Sequence, residues 1–265
     1  MIIKYNVICV GAGGTGGNFA KEFARYIAGL SLQDTKISFA LVDGDKVESG
    51  NRSRQPFTED DVEEYKSVAL VEAIQDVFNL DNVFAYASYL DTSKDLENIY
   101  IEQSRYLNNR RNNLPNEKEI IILIGCVDNH RARQVLDQFF YEYDNIIYID
   151  SANEFSVGEI CIGARFNNKT IAPPRSYYFP DILTDTSPSA SEMSCSEVNV
   201  SSPQHIATNL MAAHLVLSVV ANVISHKKVD CGIIYFDSFK YFSRFDKFEE
   251  TNYRNTNEEG EKMDG

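Results

Sequence analysis

The chain predicts an α/β fold, with a mostly parallel central sheet, helices on both faces of that sheet and an antiparallel C-terminal extension. Three observations predict it. Ile2–Val10 (IIKYNVICV) is an apolar, β-rich run that ends in a glycine cluster and passes straight into a helical pattern. Lys36–Val42 (KISFALV) is a second such run and ends at Asp43. Glu119–Cys126 (EIIILIGC) and Asn145–Ile149 (NIIYI) are unbroken apolar runs. Strands apolar on both faces belong to sheets covered on both faces, which is the habit of parallel sheets. Together these make a Rossmann-like arrangement.

The elements follow in order. Gly11, Gly13, Gly14, Gly16 and Gly17 come directly after the first strand. Phe19, Ala20, Phe23, Ala24 and Ile27 then fall on one helical face. Strand, glycine turn and helix start is the context in which a phosphate lies against backbone N–H groups, because glycine lets the chain come close without a Cβ. A tight turn with no ligand is the plain alternative. The acid ending the second strand of such a unit hydrogen-bonds ribose hydroxyls. Asp43 stands 27 residues after Gly16, further than the usual spacing of about 20, and an insertion at Gly29–Thr35 accounts for the difference. To this point a dinucleotide-binding oxidoreductase fits equally well.

Val62–Phe78 reads as a helix and Val83–Tyr89 as a third strand. Residues 95–118, with LNNRRNNLPNEKE, read as a polar insertion or loop. The strand at Glu119–Cys126 places Asp128 just past its carboxyl end, the edge where open α/β sheets bind ligands. Asp128 there can cap the helix that follows, bind a ligand, or do both. Arg131–Tyr143 is that helix. Gly158–Phe166 opens the antiparallel half, and residues 167–200, rich in proline, read as a crossover loop over the site. His205–Ser225 is a long apolar helix, and Gly232–Phe236 with Lys240–Arg244 forms a last hairpin-like pair. Residues 1–248 form a single nucleotide-binding domain in this reading. Residues 249–265, acidic and poor in apolar side chains, are expected to be a disordered tail.

The run after the second strand carries the chemistry. Asp43-Gly-Asp45-Lys-Val47, then Asn51-Arg-Ser-Arg54-Gln55, resembles the D-x-D-x-V…N-x-x-R-Q signature of the ubiquitin-activating (E1-like) ThiF/MoeB adenylyltransferase family. Lys66 in EEYKSVAL and Asp128 in IGCVDNHRAR fall in the family's order. The match is strong over about residues 2–150 and weaker over Ser194–Val223. The resemblance is closest to compact bacterial ThiF-family members. It implies ATP and Mg²⁺ as cofactors, and adenylylation of the C-terminal carboxylate of a small ubiquitin-like or sulfur-carrier protein. Asp43, Asp45, Asn51, Gln55 and the glycines would hold ATP. Arg54 and Lys66 would clamp the phosphates, Arg as a fork and Lys as a point charge. Asp128 would hold Mg²⁺, a cation that takes oxygen ligands and keeps several waters. Taken singly, Arg54 and Lys66 fit surface salt bridges to Glu59, Asp60, Asp61, Glu63 or Glu64; in register they fit the clamp. A NAD(P)- or FAD-binding oxidoreductase leaves that set without a role, and an inactive E1-like scaffold would not need it.

Cys195, in the polar SEMSCSEVNVSSPQ segment before the long apolar helix, is the candidate acceptor nucleophile, against an ordinary loop cysteine. Cys9, Cys126, Cys161 and Cys231 lie in or beside apolar strands. No C-x-x-C pair occurs, so no zinc is expected, although many relatives carry one. The odd thiol count and the missing leader suit a reducing cytoplasm. A net charge of −14 argues against nucleic-acid binding. No run of 18 apolar residues occurs, so no membrane span is expected. The family habit leads to a homodimer.

Overall fold

The computed structural model describes residues 1–31, 33–109, 117–186 and 204–249. The chain runs β1 (Ile2–Val10), α1 (Gly14–Ala28), β2 (Thr35–Val42), a 3-10 turn (Ser49–Ser53), α2 (Lys66–Phe78), β3 (Val83–Tyr86), α3 (Ser93–Asn109) and β4 (Glu117–Gly125). It continues through α4 (His130–Glu142), β5 (Ile146–Asn153), β6 (Val157–Phe166), β7 (Lys169–Ala172), the single-turn helices α5 (Arg175–Tyr178) and α6 (Asp181–Thr184), α7 (Ile206–His226), β8 (Gly232–Asp237) and β9 (Phe242–Lys247).

The strands join in one sheet of order β3-β2-β1-β4-β5-β6-β8-β9, with β7 paired to β6. From β3 to β5 every pairing is parallel; from β5 to β9 every pairing is antiparallel. The fold class is the one expected. Side-chain alternation divides the core in two. Ile3, Tyr5, Val7 and Cys9 of β1 face α1, α2 and α7, while Ile8 and Val10 face α3 and α4. Phe19 and Phe23 of α1 stack with centroids 5.3 Å apart, and Phe39 of β2 meets Phe23 edge-on at 5.1 Å. Filling both faces of one sheet is what makes its central strands read as unbroken apolar runs.

The structure corrects one expectation. Residues 93–109, read in part as a polar insertion, form α3, the crossover helix from β3 to β4. Its buried residues are Ser93, Leu96, Ile99, Gln103 and Leu107. Gln103 sits among them and donates to the Val7 carbonyl at 3.1 Å, so the apolar period is broken where it would be recognised. The rest of the expected insertion, residues 110–116, lies outside the described residues, as do 187–203 of the expected crossover loop and the tail from 250. α7 is long and apolar enough to cross a membrane by length and composition alone. In the fold its Ala212, Ala213, Val216, Val220 and Val223 are buried against the α1 face of the sheet.

Candidate active site

The chain leaves β1 toward β2 and β3 on one side, then returns through α3 to β4 on the other. The sheet therefore reverses its winding between β1 and β4, and the carboxyl ends of those strands open a crevice. A cleft of about 640 Å³ lies there, within the range of small-molecule sites. Four strand ends line it: Val10 and Gly11, Val42 to Asp45, Cys126 to Asp128, and Ser151 to Asn153.

The glycine turn forms its floor. Gly11 has φ +94, and a Cβ there would lie 2.4 Å from the Cys126 carbonyl oxygen. Gly14 and Gly16 are equally enclosed, by Asn209 Nδ2 at 2.0 Å and by the Gly11 carbonyl oxygen at 1.9 Å. Gly16 packs inside the turn and does not reach the cleft wall. Gly13 differs: a Cβ there would meet nothing nearer than Gln55 Nε2 at 3.9 Å. The space above Gly13 is cleft, and α1 begins beside it with no side chain capping its first turn. Uncapped N–H groups at a helix start are an anion seat.

Asp43 ends β2 under this turn. Its Oδ2 accepts from the Ala12 N–H at 2.6 Å and its Oδ1 from the Asp45 N–H at 2.8 Å. Burial pushes its carboxyl up to about 6, with Asp45 adding to the rise and Lys66 opposing it. Lys66, the first residue of α2, is buried and pairs with Asp45 at 2.8 Å. Burial alone would raise Asp45; the Lys66 ammonium and the Tyr89 hydroxyl, which donates to it at 2.6 Å, outweigh burial and hold it below the usual range. The surface acids considered for Lys66 are not its partners. Arg52, not Arg54, pairs with Glu59. Among the described residues the Arg54 guanidinium has no hydrogen-bond or ion-pair partner, and it lines the cleft. Gln55 lines it too, with its Oε1 buried and unpartnered.

Three expected residues stand apart from this group. Asn51 does not line the cleft; its carboxamide oxygen accepts from the Glu48 N–H at 3.0 Å and closes the 3-10 turn that carries Arg54 and Gln55. Asp128 lines the cleft and is exposed, while the adjoining Asn129 caps α4 by accepting from the Ala132 N–H at 2.8 Å. No group of three metal-ligating side chains occurs among the described residues. Cys195 lies outside the described residues.

The structure adds Thr15, Asn153, Asn209 and Arg175, which the sequence reading missed, and shows the partners of Arg133, whose place on α4 matches a family arginine. Thr15 Oγ1 donates to Asn153 Oδ1 at 3.1 Å, Asn153 Nδ2 to Asn209 Oδ1 at 2.8 Å, and Asn209 Nδ2 to the Arg54 carbonyl at 3.5 Å. Asn209 is fully buried, and its one sequence signal is a polar pair, Thr208-Asn209, inside an apolar helix. On the α4 side of β5, Arg133 Nε pairs with Asp150 Oδ1 at 3.3 Å, and Arg175 with Asp150 at 3.6 Å and with Glu159. Arg175 sits in a segment with no motif, so only the fold brings it here.

The ThiF family model matches the chain over residues 2–260. A search of curated protein sequences finds no match. Among solved structures, PaaA superposes with TM-score 0.61 at 18% identity, covering 92% of this chain and 64% of its own. E. coli MccB with AMPCPP and MccA gives 0.62 at 15%, covering 91% and 63%. E. coli MccB with ATP gives 0.60 at 15%, again covering 91% and 63%. At these identities the likeness is one of fold, and the chain spans less than two thirds of each neighbour's length.

Proposed function

The chain belongs to the ThiF family, and from that membership we propose that it transfers the adenylyl group of ATP to a carboxylate, the C-terminal carboxylate of a small ubiquitin-like or sulfur-carrier protein or of a peptide. The observation that carries the reading is an unpaired Arg54 guanidinium lining the same cleft as the uncapped start of α1 and the open face of Gly13. The fold neighbour MccB has been seen with ATP, which supports the nucleotide half.

The residues present fit ATP. Asp43, at the end of β2, would accept from the ribose hydroxyls. The α1 N–H groups, Arg54 and Gln55 would hold the phosphates, with the unpartnered Gln55 Oε1 free to accept. A substrate carboxylate is ionised at neutral pH, so no base is needed. One of its oxygens attacks the α-phosphorus, an O–P bond forms, and the bond to the bridging oxygen breaks with its electron pair leaving on pyrophosphate. No proton moves. The work left to the protein is positioning and charge stabilisation. Asp128 would hold Mg²⁺ through one carboxylate, with phosphates and waters completing the shell; the ion supplies charge neutralisation on the departing oxygens. Lys66 reaches the phosphates as half of an ion pair with Asp45, so the site keeps it ordered. Cys195 would take the activated acyl group as a thiolate nucleophile, a C–S bond forming as the acyl C–O bond breaks and AMP leaves. Hydride transfer gives Arg54 nothing to do.

Titration with ATP–Mg²⁺ and with NAD, followed by thermal shift, tests the reading. ATP is expected to stabilise the chain, and Arg54→Ala to cut carboxylate-dependent pyrophosphate exchange by about 10²-fold or more while the melting temperature stays put. Stabilisation by NAD and not ATP would overturn it.

A further inference from the structure

The cleft does not end at the nucleotide half. It continues along the ends of β5 and β6, where Ser151, Asn153, Val157, Glu159 and Arg175 line it. Ser151 is 3% exposed, and its hydroxyl oxygen has no hydrogen-bond partner. Strand alternation sets it on the face of Ile147 and Ile149, the side of the sheet on which α1 starts. A buried hydroxyl left unpaired costs stability, and native structures keep few of them. The other unpaired polar oxygen in this wall, on Gln55, stands in the nucleotide half.

The two buried cations at this end, Arg175 and Arg133, are already satisfied. Arg175 is held by Glu159 and Asp150. Arg133 is held by Asp150 and donates to the Val127 carbonyl at 2.6 Å. These are two cations against two carboxylates, so an anion entering among them finds neither buried guanidinium spare. The donor it finds is the Ser151 hydroxyl. We propose that Ser151 positions the acyl substrate, its hydroxyl donating to one carboxylate oxygen while the other attacks the α-phosphorus. The inference rests on the adenylyl-transfer reading. A neutral donor suits the step. An ion pair with arginine would stabilise the carboxylate charge and blunt its attack, whereas one hydrogen bond fixes direction and leaves the second oxygen free. After transfer the same hydroxyl faces the acyl carbonyl oxygen of the product, and the Ser151 proton is never given up.

Two adenylate mimics test it: 5′-O-(N-acetylsulfamoyl)adenosine, which carries the acyl carbonyl, and 5′-O-sulfamoyladenosine, which lacks it. The full-length chain is expected to bind the acetyl compound more tightly, by the worth of one neutral hydrogen bond, about 3- to 10-fold. Ser151→Ala is expected to erase that increment, leave affinity for the unacylated compound and for ATP within about twofold, and melt no lower than the parent chain. A structural role would lower the melting temperature instead. A parent chain that binds neither mimic sinks the adenylyl-transfer reading itself. One that binds both, with an increment absent from the start or surviving in Ser151→Ala, overturns the role of Ser151 alone.

Discussion

Asp137 and Asp43 are carboxylates with raised pKa values, and burial is the main reason for both. Asp137 on α4 is 6% exposed. Burial pushes its carboxyl up to about 6; the Ser176 hydroxyl, donating at 2.5 Å, opposes the rise and Asp150 adds to it. Asp43 is raised to the same range. Both folded values lie above the ordinary value, so between about pH 4 and 6 the folded chain holds protons that the unfolded chain has released. Their stabilising contribution is complete below about pH 4 and lost as pH rises through about 6. At neutral pH each ionised carboxylate weakens the fold. Asp137 does not line the cleft, so Asp137→Asn isolates the effect, and its carboxamide oxygen can still accept from Ser176. The variant is expected to exceed the parent chain at pH 7 by up to about 3 kcal/mol and to match it at pH 4, as read by urea unfolding at the two values. Lower stability at pH 7 would mean that the charge is compensated. No pattern in the sequence distinguishes Asp137 from the other acids, because depth is a tertiary property. Asp43, Arg54, Gln55, Lys66 and Asp128 were legible for the opposite reason. Asp43 and Asp128 sit just past strands, Arg54 and Gln55 follow the 3-10 turn, and Lys66 opens the next helix, so their spacing survives in sequence.

At the scale of elements, legibility followed the length of the apolar period. β1, β2, β4 and β5 were read directly, since both faces of each are buried and apolar side chains dominate them, with Lys4, Asn6 and Ser38 too few to hide the runs. α3 was not. Three apolar contacts spread over 17 residues, around a buried glutamine, are too sparse a stripe to separate from a loop. Yet α3 closes the α4 side of the sheet, with Leu96 fully buried among Ile8, Val42 and Ile99. Leu96→Ala is therefore expected to cost about 2–5 kcal/mol, seen as a fall in the urea midpoint at unchanged slope. A change under about 0.5 kcal/mol, the scale of a surface substitution, would mean that this segment does not hold the sheet. α7 fails the other way. Its composition is apolar all along, so the sequence shows a helix without saying which face is the core. The buried positions pick out the side that carries Asn209.

At the scale of the molecule, the sheet has a parallel half that builds the glycine-turn end of the cleft and an antiparallel half that begins at β6. The two halves share β5, and Asn209 ties the end of β5 to the Arg54 turn. It lies 155 residues from Arg54 in sequence and donates to its carbonyl, while accepting from Asn153 at the end of β5. Its Nδ2 also fills the space over Gly14 that any side chain there would need. No local motif can encode such a tie, which is why the sequence announced the clamp and not what braces it. Asn209→Asp keeps the shape and the acceptor toward Asn153, and loses the donor toward the Arg54 carbonyl. If Asn209 acts by holding the Arg54 turn, its effect on ATP affinity exists only while the guanidinium is there to be positioned. Asn209→Asp is then expected to weaken ATP binding several-fold in the parent chain and to add nothing in an Arg54→Ala background. Residues in contact are where such non-additivity of about 0.5–3 kcal/mol arises. Titration of a fluorescent ATP analogue against the four chains of this cycle measures it, with melting temperatures taken on each. Equal losses in both backgrounds would mean that Asn209 serves packing alone, and that the Arg54 turn holds its place through the Asn51 hydrogen bond within it.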